Sequence, residues 1–153
     1  MSIALQNNFI LNQQNVITNP AKKKYNQAHW HRDLPYQHLI SSRPLAFNAL
    51  FCVDDFRLEN GSTFILPGSH LHEKFPSDEH IHANQLQITA KKGQFILIDS
   101  MVYHKGGYNS SINDRVAVNN VYTLPMIRRQ IDFDANDFQY SLESFDAESI
   151  LRL

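Results

Sequence analysis

A single cysteine, Cys52, is found in 153 residues, which excludes an internal disulfide framework and fits a reducing compartment. It lies in an apolar run and reads as a buried, inert thiol, not as a nucleophile. Long hydrophobic runs are missing as well, and nothing approaches the ~18 consecutive apolar residues of a membrane span. No charged segment leading into an apolar one opens the chain, so no signal peptide is evident and a soluble cytoplasmic protein is expected. Charge of one sign is absent too. Lys and Arg number 14 against 15 Asp and Glu, a net charge of −1, which argues against nucleic acid as a partner. The short Lys22-Lys23-Lys24 run reads as a solvated loop. No internal repeat or low-complexity tract stands out, and the length fits one domain able to bury a core without staples.

What is present is a series of short strands separated by turn chemistry. Phe9-Ile10-Leu11 and Asn15 to Thr18 read as two strands bracketing a polar turn, and Asn19-Pro20 then breaks the run. Leu45 to Val53 is nearly continuous in apolar residues and fits a buried strand. Asn60-Gly61 is a strong turn signal, because both residues tolerate positive φ at low cost. Ser62 to Leu66 returns as a strand and stops at Pro67-Gly68. Gln85 to Thr89 alternates, Lys92-Gly93 turns, and Gln94 to Ile98 runs apolar into Asp99. Gly106-Gly107 breaks the chain before a last long strand, Arg115 to Leu124. Frequent turns between short strands describe a sandwich or a jelly-roll barrel. Residues 137–153 carry roughly helical apolar spacing and read as a terminal helix or an acidic tail.

The chemistry is concentrated in His31-Arg32-Asp33, answered downstream by His104 and Arg115. Residues two apart on an extended segment share a face, so His31 and Asp33 can both project into a barrel. Two imidazoles and a carboxylate are the ligand set of the facial triad, which holds iron(II) and leaves three positions open for a chelating acid and dioxygen. Arg115, eleven residues after His104, offers a planar bidentate clamp for a carboxylate. It could also be a structural ion-pair arginine. His29 shares the same-face spacing with His31, but the downstream pattern favours His31 with Asp33.

Asn60-Gly61, Pro67-Gly68-Ser69-His70, Gly93 leading to Asp99, and then His104, Gly107, Asn109, Ser110 and Arg115 follow one another in an order that closely resembles the phytanoyl-CoA dioxygenase family. The resemblance covers roughly Trp30 to Tyr122. It implies a double-stranded β-helix, a cupin-like jelly-roll, and an iron(II)- and 2-oxoglutarate-dependent dioxygenase that hydroxylates a small molecule and releases succinate and carbon dioxide. It also implies that His31, Asp33 and His104 are the metal ligands and catalytic residues, and that Arg115 binds the distal carboxylate of 2-oxoglutarate. Related halogenases carry a small residue where Asp33 stands, so the carboxylate favours hydroxylation. Two other readings stay open: a catalytically silent jelly-roll that binds a ligand or partner, and a cupin-like metal enzyme that does not use 2-oxoglutarate.

Other residues carry two readings each. Asn48, the strongly polar residue within Leu45 to Val53, either faces the oxo-acid or is an ordinary satisfied core amide. Trp30 and Tyr36 either line the pocket or pack at its rim. Asn109 and Ser110 read as turn formers. The His-rich stretch 70–84, with His70, His72, His80 and His82, reads as a long loop, either a lid or plain surface, and a second metal there is disfavoured. Thirty residues precede His31, fewer than the resembling family usually carries. Either the domain is minimal or the barrel lacks a wall; an incomplete face would expose apolar surface of the kind that marks a subunit interface, and a homo-oligomer is expected.

Overall fold

Seven strands build two antiparallel sheets in the computed structural model, which describes residues 9–36 and 38–131. The strands are β1 (Ile10–Asn19), β2 (Ala46–Cys52), β3 (Thr63–Ile65), β4 (Leu86–Gln87), β5 (Phe95–Asp99), β6 (His104–Gly106) and β7 (Arg115–Thr123). The larger sheet runs in the order β1-β7-β2-β5 and the smaller β4-β3-β6. An isolated bridge pairs His31 with His104 and extends the smaller sheet past β6. This interleaved order, with strands distant in sequence lying side by side, is the jelly-roll solution to the edge-strand problem.

Alternation decides what faces inward. In β2, Ala46, Asn48, Leu50 and Cys52 are buried, whereas Phe47, Ala49 and Phe51 are half-buried on the other face. The near-continuous apolar run is therefore a strand with one buried face and an apolar outer face. The main core joins Leu50, Cys52, Phe56, Ile96, Ile98, Val102 and Ala117, with Ile17 and Ile65 packed against it. Leu34, Ala46 and Met101 form a second cluster. Leu66, Ile81 and Tyr103 form a third, on which Trp30 packs. Cys52 is fully buried and free.

The expected pair of strands at the N-terminus is one ten-residue strand. The polar stretch between its apolar ends is a β-bulge at Asn12, where the register with β7 slips between Leu11 and Gln13. Asn12 is fastened there by its amide, which donates to Thr123 Oγ1 at 3.1 Å and to the Arg128 carbonyl at 3.1 Å. The His-rich stretch is also more ordered than a loop. Ser69–Leu71 form a 3-10 turn and Asp78–Asn84 a short helix, α1. Ser77 caps α1 by accepting from the His80 amide, and Asp78 and Glu79 sit in its first turn, where the helix dipole favours negative charge. Gly106 lies within β6, not in a turn, and β4 is shorter than the alternation of Gln85 to Thr89 suggests. The 137–153 segment lies outside the described residues.

Candidate metal centre

The bridge between His31 and His104 is a hydrogen-bonded antiparallel pair, each amide donating to the other's carbonyl at 3.0 Å. It sets the two imidazoles side by side, with ring centroids 4.4 Å apart. Asp33, two residues on, lies on the same face, and its amide donates to the Ser100 carbonyl at 3.0 Å. One ligand atom from each of His31, Asp33 and His104 lies within 4.8 Å of the others, the one such group of three among the described residues. His29 lies outside this cluster.

The chemistry of the donor set fits a metal ion. His31 Nδ1 is 2.8 Å from the His29 carbonyl, and His104 Nδ1 is 2.9 Å from the Val102 carbonyl. Each Nδ1 is thus engaged by a backbone carbonyl, and each Nε2 is turned toward Asp33 as the nitrogen that would meet a metal ion. Both Nε2 atoms lie 3.4 Å from Asp33 Oδ1. That exceeds an ordinary N–H···O hydrogen bond and is close to the ~3.0 Å between ligand atoms at right angles around an ion with ~2.1 Å bonds. Burial pushes the Asp33 carboxyl up, but the facing imidazoles of His104 and His31 more than reverse this and hold it well below the usual carboxylate range. Burial lowers His31, while Asp33 and the His29 carbonyl outweigh it and leave the imidazole raised.

Asn48 stands behind the carboxylate. Its amide donates to Asp33 Oδ2 and accepts from Ser100 Oγ at 2.8 Å. It is therefore a satisfied core amide that aims Asp33, and it also lines the cavity in front of the triad. That inner cavity, about 60 Å³, brings His31, Asp33 and His104 together with Arg115, Tyr25, Leu50, Ile98 and Asn119. It adjoins a wider cleft of about 700 Å³ that shares His31, Asp33, Tyr25, Gln27, Ile17 and Asn119.

Arg115 is 2% exposed and makes no carboxylate ion pair among the described residues. Its guanidinium lies 3.9 Å over the Phe56 ring, and it donates to the Gly61 carbonyl at 3.1 Å and the Asn60 carbonyl at 3.4 Å. The Tyr25 hydroxyl lies within hydrogen-bonding reach as well. The Asn60-Gly61 turn therefore has a second purpose. Gly61, at φ +73°, turns its carbonyl to both Arg115 and the Asn19 amide, and a Cβ there would meet the Gly107 oxygen at 2.4 Å. The Asn109 amide closes this junction by donating to the Asn19 and Asn113 carbonyls. Ser110 Oγ donates to the Glu59 carbonyl at 2.9 Å, so both residues build turns.

Trp30 packs in the third core cluster beneath Lys105, and Tyr36 is exposed; neither lines the inner cavity or the cleft. A separate cavity of about 480 Å³, lined by Ser69, His72, Phe75 and His80 among others, contains none of the triad.

A family model described as phytanoyl-CoA dioxygenase matches residues 3–117. The chain belongs to the phytanoyl-CoA dioxygenase family. An uncharacterized protein of Mycobacterium tuberculosis is 30% identical over 129 residues, 84% of this chain and 45% of the relative. The chain thus spans less than half the length of that family relative. Among solved structures, EctD from S. alaskensis with 2-oxoglutarate and 5-hydroxyectoine is 23% identical, with a TM-score of 0.65 over 78% of this chain and 46% of EctD. The non-heme α-ketoglutarate-dependent epimerase SnoN from nogalamycin biosynthesis is 22% identical, with a TM-score of 0.60 over 74% of this chain and 47% of SnoN. These likenesses establish the double-stranded β-helix of phytanoyl-CoA dioxygenase relatives, and with it the expected fold. No helix among the described residues is long and apolar enough to cross a membrane.

Proposed function

We propose that the chain is an iron(II)- and 2-oxoglutarate-dependent oxygenase that hydroxylates a small molecule and releases succinate and carbon dioxide. The observation that carries this reading is the convergence of two imidazole nitrogens and one carboxylate in the same cavity as the buried Arg115. Iron(II), when bound, would supply the chemistry by which dioxygen oxidises the oxo-acid and the substrate. Everything else is the work of the protein's own groups.

His31, Asp33 and His104 would hold the ion on one face and leave the other positions open. The carbonyls of His29 and Val102 fix the imidazole tautomers, and Asn48 holds the carboxylate's second oxygen. Arg115 would anchor the distal carboxylate of 2-oxoglutarate with its planar fork, with the Tyr25 hydroxyl beside it. Leu50 and Ile98 give the inner cavity an apolar wall, and a dry wall strengthens the charge pairing there. The Asp33 carboxylate fills the position a halide would need, so oxygen transfer is the favoured outcome. A reducing cytoplasm suits both ferrous iron and the free Cys52 thiol.

The direct test is succinate formation from 2-oxoglutarate with iron(II), compared between the parent and Asp33→Ala. Metal-dependent succinate from the parent and none from the variant is expected. Equal, metal-independent output from both would remove the assignment.

A further inference from the structure

The inner face of a jelly-roll is ordinarily apolar, yet the edge of this one beside the triad is made of carboxamides. Asn15 on β1 stands directly opposite Asn119 on β7, and Gln13 lies one inward position further along β1. Gln27, Gln130 and Tyr25 add to the polar lining of the 700 Å³ cleft. The adjacent outward pair behaves differently. Gln14 donates to Asn120 at 2.6 Å, and Asn120 donates to the Ala49 carbonyl. On the inner face, Asn119 Oδ1 is buried without a hydrogen-bond partner among the described residues. A buried acceptor left unpaired is costly, so a partner is expected to arrive with whatever fills the space.

That partner has to be a donor. 2-Oxoglutarate at neutral pH carries only acceptor oxygens, so it cannot satisfy Asn119 Oδ1; a hydroxyl can. Carboxamides offer both donors and acceptors, as hydroxyl groups do. The cleft provides little for a charged or purely apolar occupant. Its one lining cation, Arg32, is 3% exposed and donates to the Ser69 and His72 carbonyls, and its one carboxylate, Asp33, belongs to the triad. The volume falls in the ~300–1,000 Å³ range of sites that take drug-sized ligands.

We infer that the cleft takes a neutral, hydroxyl-rich substrate of sugar or glycoside type, with the amides of Asn119, Asn15 and Gln27 reading its hydroxyl groups. This rests on the proposed oxygenase reading for its chemistry and on the cleft alone for its binding.

The test is ligand-observed saturation-transfer NMR on the whole chain. The probes are methyl glucopyranoside, methyl rhamnopyranoside, maltose and lactose, set against palmitoyl-CoA and palmitate. Saturation transfer to at least one sugar is expected, with binding weakened ten-fold or more in Asn119→Val and in the surface variant Gln27→Ala. Silence from every sugar, preference for palmitoyl-CoA, or sugar binding unmoved by both substitutions overturns the inference. Succinate formation measured alongside separates the two readings. Turnover of 2-oxoglutarate with silent sugars removes only the substrate class. Sugar binding without any metal-dependent succinate removes the oxygenase and leaves the cleft's specificity standing.

Discussion

The guanidinium of Arg32 stacks on the ring of Tyr103, 4.2 Å from its centroid, on the side of the chain opposite the triad. Arg32 lies between His31 and Asp33, and Tyr103 immediately precedes His104, so the contact ties together the two segments that carry the triad. The same guanidinium donates to the Ser69 and His72 carbonyls at 2.7 and 2.6 Å, and Ser69 Oγ accepts from the Tyr103 amide at 2.8 Å. Replacing Arg32 with Met keeps much of the volume and removes these bonds. Buried bonds of this kind contribute roughly 1.5–3 kcal/mol each at most, so a loss of about 2–4 kcal/mol is expected in urea denaturation. Cobalt(II) affinity should fall with it. Full affinity at reduced stability would show that the stack supports the fold without aiming the triad.

Arg115→Lys keeps the positive charge and discards the planar fork, so it tests whether geometry or charge anchors the oxo-acid. An increase of roughly ten-fold or more in KM for 2-oxoglutarate is expected, with Tyr25→Phe producing a smaller increase. Both variants should retain metal binding. Unaltered activity in Arg115→Ala would point to a metal enzyme that does not use 2-oxoglutarate.

Gly61→Ala is predicted to be far worse than a surface substitution. The backbone there is left-handed, and the new Cβ would stand 2.4 Å from the Gly107 oxygen and 2.5 Å from Asn19 Nδ2. Two strand connections and the Arg115 cradle would have to shift together. Loss of several degrees in Tm, on the order of 2 kcal/mol or more, is the expected result. A variant within half a degree of the parent would refute it.

Asp55 supplies a pH dependence. It accepts from the Lys92 amide at 2.9 Å and from Arg57 at 2.8 Å, with Lys91 at 3.5 Å, and these contacts bring its carboxyl down to about 2. The unfolded chain titrates this group near ~3.9. The native contacts therefore stabilise fully above that value and are lost as pH falls toward 2. The Tm difference between the parent and Asp55→Asn should be constant near neutrality and close up between about pH 4 and 2. A difference that persists at pH 2 would assign the effect to something other than this carboxylate.

The outer face of the larger sheet exposes Val16, Phe95, Leu97 and Tyr122, and neighbouring outward positions Phe47, Ala49 and Phe51 are only half-buried. A face of this kind marks an interface, and a homo-oligomer is the expected state. Sedimentation velocity checks it, with Leu97→Lys predicted to shift the protein toward monomer. A parent of strictly monomeric mass would settle the matter the other way.

The grouping of His31, Asp33 and His104 is legible in their order along the chain, with two of them two residues apart on an extended segment. The Asn60-Gly61 and Gly107-x-Asn109 signals were visible as turns, but their service to Arg115 was not. That service depends on backbone carbonyls brought together from distant segments. β1 reads as two strands in the sequence for a physical reason: Gln13 and Asn15 face a polar cleft instead of the core, so the strand lacks the apolar period that would announce it. Tyr25 and Asn119 carried no local signal at all, since each owes its position to cross-strand register. α1 did carry one, in Ser77-Asp78-Glu79, the cap and acidic first turn of a short helix.

Each imidazole of the triad takes its orientation from a carbonyl two residues earlier in its own segment. Ring angle is thus written into the local chain, independent of anything that later occupies the centre. A centre aimed in this way would take an ion without refolding around it, and would favour ions by the angles they accept. Selection by coordination geometry, ahead of raw affinity, is what those two backbone contacts would impose on a bound ion.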